Sequence, residues 1–477
     1  MCVVKNKFKL ILLAAVMLTS IKSFTQIISD ITGTLTWSLD TITHTLIFSG
    51  SGKMPDYRDP LTPNDDAPWY IYRNFISTVL IGDSVTSIGN SAFYNCDNLI
   101  SVSIPDSVTS IGTWAFAVCS KLTSIIIPNK VTKIEDYIFH GCSNLTSVSI
   151  PDDVTSIGEH AFYQCSNLAS INIPNKVTYI GYSAFQYCSR LTSVTIPDGV
   201  VIIASFAFNN CDLTSVTIPA SVESIGIYAF GMCSNLKTIN VSSNNMVFSS
   251  EDGVLFDKSK TILIQYPTGK MNSYYAVPNS VENIANSAFR TNIRISTLII
   301  PNSVKIIGQQ VFADCINLKS ITIGNSVDSI SYGAFHNCIG LKNIYSLNKN
   351  PPLIPEDGKV FSMVDKDICV LHVPTGSKSQ YILANEWKEF LNIEENIGIV
   401  TITNDELRIF PNPTDGKLKI ENGELKMGNV ELYDVVGKKH FSTFNFQFSI
   451  DEIDISRLAN GMYFLKIDGK VFKVIKQ

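Results

Sequence analysis

The segments SVTSIGNSAFYNCDNLISVSIPD (residues 84–106), SVTSIGTWAFAVCSKLTSIIIPN (107–129) and KVTKIEDYIFHGCSNLTSVSIPD (130–152) follow one another without a gap. They share the pattern V-x-x-I-x-x-x-A-F-x-x-C-x-x-L-x-S-V-x-I-P, with Ile138 replacing Ala in the third. Further copies begin at or near Asp153, Lys176, Gly199, Ser221, Asn279, Ser303 and Ser326. A fixed period of this length predicts a repeat protein whose units stack on one another.

Each unit carries the marks of a short strand and a turn. Leu99, Val102 and Ile104 alternate with polar residues, as in a strand with one buried face. Pro105 ends that strand, because proline cannot donate to a ladder. Phe116 and its neighbours fit a turn or short helical segment with one face inward. One unit alone cannot bury so many apolar positions, and therefore the pattern predicts a solenoid with a continuous core.

Most of the cysteines occupy one position of the repeat. They are Cys96, Cys119, Cys142, Cys165, Cys188, Cys211, Cys233, Cys315 and Cys338. Disulfides are one interpretation for an exported chain, and a column of buried thiols is the other. Equal spacing gives each thiol equivalent neighbours on both sides, the number is odd, and Asn292 takes the cysteine place in one unit. We therefore predict free buried thiols and no metal site, since no Cys-x-x-Cys motif occurs.

The N-terminus predicts a secretory signal peptide over residues 1–25. Lys5, Lys7 and Lys9 precede an apolar run from Leu10 to Leu18, and cleavage is expected near Thr25-Gln26. The run is too short to span a bilayer, so we expect no transmembrane segment in the mature chain. The 477-residue chain has a net charge of −5 and is 45% hydrophobic, which argues against global disorder and against nucleic-acid binding.

The repeat motif resembles the BspA type of leucine-rich repeat, a family of bacterial surface and secreted proteins. The resemblance runs from about Gly33 to Glu395. It implies a BspA-like leucine-rich repeat solenoid with caps that cover its ends. We expect an N-terminal β cap over residues 26–75, the repeat array over 76–346 with an expanded repeat at 246–278, and a C-terminal cap and linker over 347–396.

Short strand-like runs replace the repeats after Ile397, and residues 397–477 predict a small β-sandwich. Several motifs there resemble a type IX secretion sorting domain of type A; the matching residues are Pro411, Asn412, Pro413, Gly416, Asp434, Gly437, Gly461, Tyr463 and Lys473. The resemblance implies export across the outer membrane by the type IX machinery, removal of this domain, and attachment to the surface or release. The alternative is a small sandwich with no sorting role.

Two surfaces are candidate binding sites. The first is the outward strand face, formed by Ser101, Ser103, Ser124, Ser147, Ser149, Ser170, Asn172, Ser193, Thr195, Ser215 and Thr217. The second is an aromatic edge on the turn segments, formed by Tyr94, Trp114, Tyr137, Tyr163, Tyr182 and Tyr187. Tyr228 is a further aromatic residue of a turn segment, in a later copy. The strand face is typical of a solvated sheet, whereas tyrosine and tryptophan are enriched at binding hot spots. The sequence leaves both open.

No nucleophile or phosphate-binding motif occurs, and His140 and His336 share one repeat position, which indicates tolerated surface substitution. We therefore expect no catalytic residues and no cofactor. The leading hypothesis is a non-enzymatic secreted or cell-surface protein that binds an extracellular protein or glycan, with adhesion as its role. The alternatives are a structural component of a surface layer and an accessory of a polysaccharide-degrading enzyme.

Overall fold

The computed structural model describes residues 27–57 and 66–397, and in the C-terminal region 408–410, 417–421, 428–434, 438–446, 452–455, 457–467 and 470–476. The predicted signal peptide lies outside the described residues, as do Pro411, Asn412, Pro413 and Gly416, together with Gly437. The chain divides into two compact units. Unit 1 is Met1–Leu213 with Ser224–Ala229, and unit 2 is Thr214–Glu223 with Phe230–Gln477.

A rung of the solenoid has three sides: a strand on the strand face, a short strand of a second sheet, and a turn segment. The backbone of the turn segment alternates between two kinds of hydrogen bond. Phe116 N donates to Ile138 O of the next rung at 3.0 Å, whereas Ala117 N closes a turn on Trp114 O at 3.1 Å. The alternation binds each turn segment to its neighbour while keeping it tightly coiled.

The turn segment also requires left-handed backbone at two positions per rung. Trp114, Tyr137 and His160 have φ values of 58°, 57° and 52°, and Gly333 of unit 2 has 59° at the equivalent position. Such a conformation costs a non-glycine residue about 1–2 kcal/mol. Hydrogen bonds between rungs flank each of these residues and hold the conformation in place.

Unit 1 begins with an antiparallel meander that continues into the parallel rungs. The strand face comprises Ile27–Thr32, Leu35–Asp40, Thr45–Gly50, Thr78–Ile81, Ser101–Ser103, Ser124–Ile126 and Ser147–Ser149. The second sheet comprises Gly52–Lys53, Val85–Ile88, Ser110–Ile111, Lys133–Ile134, Ser156–Ile157, Tyr179–Ile180, Ile202–Ile203 and Ser224–Ile225. A 3-10 helix, Tyr70–Phe75, links the meander to the first rung.

The strand face of unit 1 is not one continuous sheet. Ser124–Ile126 pairs with Ser147–Ser149, but Ser170, Asn172, Ser193 and Thr195 lie outside any strand. These four residues are exposed as predicted, yet the strand predicted to carry them is not formed. The second sheet and the turn segments hold these rungs together, for example through Phe162 N and Ala184 O at 2.8 Å. These rungs therefore stay stacked although their strand side is not paired.

Unit 2 has the same two sheets and closes with short helices. Its strand-face strands are Ser215–Ile218, Thr238–Val241, Tyr274–Ala276, Thr297–Ile299, Ser320–Ile323, Asn343–Ser346, Val370–Pro374 and Asn392–Ile397. Its second sheet contains Phe248–Glu251, Val254–Asp257, Ile262–Gln265, Asn283–Ile284, Ile306–Ile307 and Ser329–Ile330. The helices are Lys378–Tyr381 and the 3-10 turn Trp387–Glu389. The expanded repeat forms an antiparallel hairpin from Phe248 to Asp257.

A ladder of stacked phenylalanine rings fills the core of each unit. In unit 1, Phe93 and Phe116 have ring centroids 5.2 Å apart, and the ladder continues through Phe139, Phe162, Phe185 and Phe208. In unit 2 it runs through Tyr266, Phe289, Phe312, Phe335 and Phe361. A fully buried tryptophan covers one end of each ladder, Trp69 in unit 1 and Trp387 in unit 2.

The cysteines of the repeat form a second buried column, and the structure agrees with the prediction of free thiols. The thiols of Cys119, Cys142, Cys165, Cys188, Cys211, Cys315 and Cys338 donate to the carbonyl of the core phenylalanine of the preceding rung. For example, Cys165 Sγ lies 3.2 Å from Phe139 O, and Cys315 Sγ lies 3.2 Å from Phe289 O. Burial raises the pKa of Cys142 and of Cys315 to about 12. The thiols therefore pack as small neutral side chains.

The C-terminal region forms two antiparallel sheets. One contains Arg408–Phe410, Lys417–Glu421 and Glu452–Asp454, and the other contains Gly428–Asp434, Lys439–Phe446, Gly461–Ile467 and Lys470–Lys476. Asp434 and Tyr463 of the sorting motif are partners across two neighbouring strands. Tyr463 Oη donates to Ala459 O at 2.8 Å, just before Gly461 opens the strand. These motif residues therefore fix the register of the sheet.

Candidate binding surface

Aromatic side chains line the turn face of unit 1 and contact one another from rung to rung. We call this set the aromatic ribbon. Its members are Tyr94, Trp114, Tyr137, His140, His160, Tyr163, Tyr182, Tyr187, Phe206 and Tyr228. Trp114 and Tyr137 are stacked with centroids 4.1 Å apart, and Tyr137 and His160 are stacked at 4.6 Å. The structure thus brings together all six residues of the predicted aromatic edge.

A second column lies beside the first. His140 stacks on Tyr163 with a centroid distance of 4.8 Å and an interplanar angle of 3°. Tilted contacts join the two columns, including Trp114 to His140 at 5.4 Å and His160 to Tyr163 at 5.3 Å. Because Tyr137 and His160, in the middle of the ribbon, are held by rings above, below and beside them, they have little rotameric freedom.

His140, His160 and Phe206 are ribbon members that the sequence analysis missed. The signal was the register itself, because 23 residues separate Tyr137 from His160 and His140 from Tyr163. The interpretation of His140 as a tolerated surface substitution does not account for its place in the stack of rings. Burial lowers its pKa to about 4, with the neighbouring His160 adding to the shift. Its Nδ1 is buried without a hydrogen-bond partner in the described chain. The ring is therefore neutral in the stack near pH 7.

The other candidate surface, the strand face, is exposed and consists mostly of small hydroxyl side chains. All eleven predicted strand-face residues are solvent-exposed. Ile126, with 74% of its surface exposed, is a large apolar side chain among the hydroxyls. It borders a shallow groove together with Ser124, Ser147 and Asn172. Exposed serine and threonine lose their hydrogen bonds to water on binding. This face therefore contributes little binding free energy unless a partner replaces those hydrogen bonds.

Within residues 27–57, 66–397 and the described strands of the C-terminal region, no cluster of three or more His, Cys, Asp or Glu side chains could hold a metal ion. The helices in that part of the chain are all too short or too polar to cross a membrane.

Two family models match the chain. The BspA type leucine-rich repeat region matches in overlapping copies over residues 70–189, 155–273 and 266–354, which together exceed half of the chain. The chain belongs to this family. A secretion system C-terminal sorting domain matches residues 408–477. The predicted repeat family and sorting domain are confirmed, and the protein is a leucine-rich repeat protein with a sorting tail. One model describes a repeat and the other a sorting domain, and neither describes an enzyme.

Several solved bacterial structures are similar to this chain. A leucine rich cell surface protein from Faecalibacterium prausnitzii is 28% identical, with a TM-score of 0.50 over 75% of this chain and 97% of that one. A leucine-rich repeat protein from Bacteroides ovatus is 24% identical, with a TM-score of 0.44 over 77% of this chain and 100% of that one. The pneumococcal vaccine antigen PcpA is 21% identical, with a TM-score of 0.49 over 80% of this chain and 99% of that one. No curated protein matches the sequence significantly.

Proposed function

We propose that the mature protein is a non-enzymatic, cell-surface or secreted adhesion protein, which binds an extracellular protein or glycan through the aromatic ribbon of unit 1. The sorting domain directs its export through the type IX machinery. The chain is 28% identical to a leucine rich cell surface protein, which is consistent with a location at the cell surface. The observation that carries the binding proposal is the unbroken series of ring contacts from Tyr94 to Tyr228.

The ribbon favours binding for two physical reasons. Tryptophan and tyrosine supply the most energy per residue at interfaces, and Trp114 and Tyr137 are only partly buried. Stacking also fixes the rings before a partner arrives, so little side-chain entropy is lost on binding. The strand face lacks both properties. It remains the second candidate surface, because Ile126 lies exposed at a groove there.

A triple variant tests the ribbon without straining the backbone. Trp114→Gly, Tyr137→Gly and His160→Gly remove three stacked rings at positions with positive φ, where glycine is the preferred residue. We expect the purified protein to bind a member of an array of matrix proteins and glycans. We expect the triple variant to lose at least about tenfold in affinity, because hot-spot side chains contribute more than 1 kcal/mol each.

The matched control carries Ser101→Lys, Ser124→Lys and Ser147→Lys on the strand face, where all three positions are exposed. If this control loses binding and the ribbon variant keeps it, the partner binds the strand face instead. Self-association without binding to any array member would support the surface-layer alternative. A chain lacking residues 408–477 should accumulate in the periplasm, and its appearance on the cell surface would contradict the sorting role.

A further inference from the structure

A small pocket lies where the N-terminal cap meets the first turn segment of unit 1. We call it the cap pocket; its walls include Tyr57, Asp66, Tyr70, Ser91, Tyr94 and Asn95. Backbone and side-chain hydrogen bonds fix these walls to each other. Tyr57 N donates to Asn90 O at 3.0 Å, and Trp69 Nε1 donates to Ala92 O at 2.7 Å.

The chemistry of the walls is that of a site for a ring carrying hydroxyl groups. Three phenol rings supply apolar surface, and Asp66 and Asn95 supply a carboxylate and an amide. Ser91 is 7% exposed, and its Oγ is buried without a hydrogen-bond partner in the described chain. A buried hydroxyl without a partner is costly, and an occupant or its bound water could supply one.

The charges at the pocket are of both signs and favour a neutral occupant, since Asp66 lies in its wall and Arg73 lies against Tyr70. The guanidinium of Arg73 lies 4.3 Å from the centroid of the Tyr70 ring, so a second cation against this ring would meet a like charge. The size argues for a single ring. A cavity of about 190 Å³ lies below the roughly 300 Å³ at which pockets for drug-sized ligands begin.

We propose that the cap pocket binds one neutral hexopyranose unit. Its aromatic walls would contact the C–H face of the sugar, and Asp66 and Asn95 would accept and donate hydrogen bonds to its hydroxyls. Tyr94 joins the pocket to the ribbon, since its ring lies 6.1 Å from that of Trp114. The inference goes beyond the proposed function, because a monosaccharide can occupy the pocket whether or not the ribbon binds a partner.

The experiment uses the purified protein with D-glucose, D-galactose, D-mannose and N-acetyl-D-glucosamine, followed by saturation-transfer NMR and calorimetry. Lysine and choline serve as cationic comparators. At the binding efficiency typical of small ligands, we expect at least one sugar to bind saturably with a Kd on the order of 1 mM. Neither cation should bind more tightly than that sugar.

Two pocket variants and one matched control locate the binding. Asn95→Gly removes the amide while keeping a residue suited to φ 59°, and Asp66→Asn removes the charge without changing shape. Each should weaken sugar binding by about three- to tenfold, as expected for one hydrogen bond. Asn210→Gly makes the same change at φ 57° in a later rung of unit 1 and should leave binding unchanged.

Three results would overturn the proposal: no saturable binding of any of the four sugars, tighter binding of lysine or choline, or sugar binding unaffected by both pocket variants. The ribbon variant keeps all six pocket residues. If it loses the macromolecular partner but still binds the hexose, the two sites are distinct, and each proposal stands or fails on its own measurement.

Discussion

In three successive turn segments of unit 1, the residue two positions before the core phenylalanine is Trp114, Tyr137 and then His160, whereas in three successive turn segments of unit 2 it is Ser287, Gln310 and then Gly333. The backbone is the same at these positions in both units, with φ between 52° and 59°. The phenylalanine ladder beneath is also the same. Only the outward side chains differ, and only those of unit 1 form the ribbon.

The difference separates the residues that build a rung from those that can recognise a partner. The inward positions are nearly invariant from rung to rung, because each must fit the identical position above and below it. The outward position is under no such constraint, since Gly333 and Trp114 occupy it with equal φ to within about a degree. Stacked aromatics over successive rungs of unit 1 are therefore not required by the fold.

The largest expected effect tests whether the two cores are equivalent. Phe162→Ala in unit 1 and Phe312→Ala in unit 2 each remove a fully or almost fully buried ring from a ladder. We expect each to lower the free energy of unfolding by about 3–5 kcal/mol, because a cavity replaces the ring. Urea denaturation measures this. If the two variants lose severalfold different amounts of unfolding free energy, the two cores are not equivalent.

A pH effect is expected from the ribbon. His140 has a native pKa of about 4 against 6.5 for the unperturbed side chain. Between these values the unfolded chain binds a proton that the native protein does not. Stability should therefore be unaffected above about pH 7, fall as the pH drops from 6.5 to 4, and change no further below that. The loss should be roughly 1–2 kcal/mol, less than full linkage gives, because the ring is partly exposed.

The measurement compares thermal unfolding of the natural protein and of His140→Phe across this pH range. The variant keeps a ring to stack on Tyr163 but cannot titrate, so its unfolding curve should lack this part of the pH dependence. Identical pH profiles for the two proteins would show that His140 is not held neutral by the stack.

The smallest expected effect compares one change in two surroundings. Lys359 is exposed at φ 46° in unit 2, so Lys359→Gly should stabilise the protein by about 0.5–1 kcal/mol by relieving strain. Trp114→Gly relieves the same strain but loses ring contacts to Tyr94, Tyr137 and His140. It should destabilise by about 1 kcal/mol. If both changes stabilise the protein equally, the stacked rings contribute nothing to the free energy of unfolding.

Much of the fold could be predicted from the repeat alone. The alternation around Val102, the proline that ends each strand, and the single cysteine per rung give the inward set correctly. The spread of the strand face at Ser170 and Ser193 could not be predicted. The residues there match the pattern of rungs that do pair, so the break depends on the spacing of whole rungs rather than on any local residue.

The site was harder to predict than the fold. Tyrosines on the turn segment indicated an aromatic edge, but the left-handed backbone at bulky residues such as Trp114 runs against local preference. It is imposed by hydrogen bonds to residues 22 positions away, which local propensity does not contain. The cap pocket combines residues that follow the meander, such as Tyr57 and Tyr70, with residues of the first turn segment, and only the folded chain brings them together.

The hydrogen bonds of the turn segment join corresponding segments of neighbouring rungs, and this has a consequence for how such a chain can change. Equivalent points on neighbouring rungs can be cut and rejoined without altering any local environment, so recombination between repeats adds or removes whole rungs. Each event would lengthen or shorten the ribbon by about 4.8 Å. The buried tryptophans at the ends would be untouched. The number of rungs could then set the length of the binding surface independently of its chemistry.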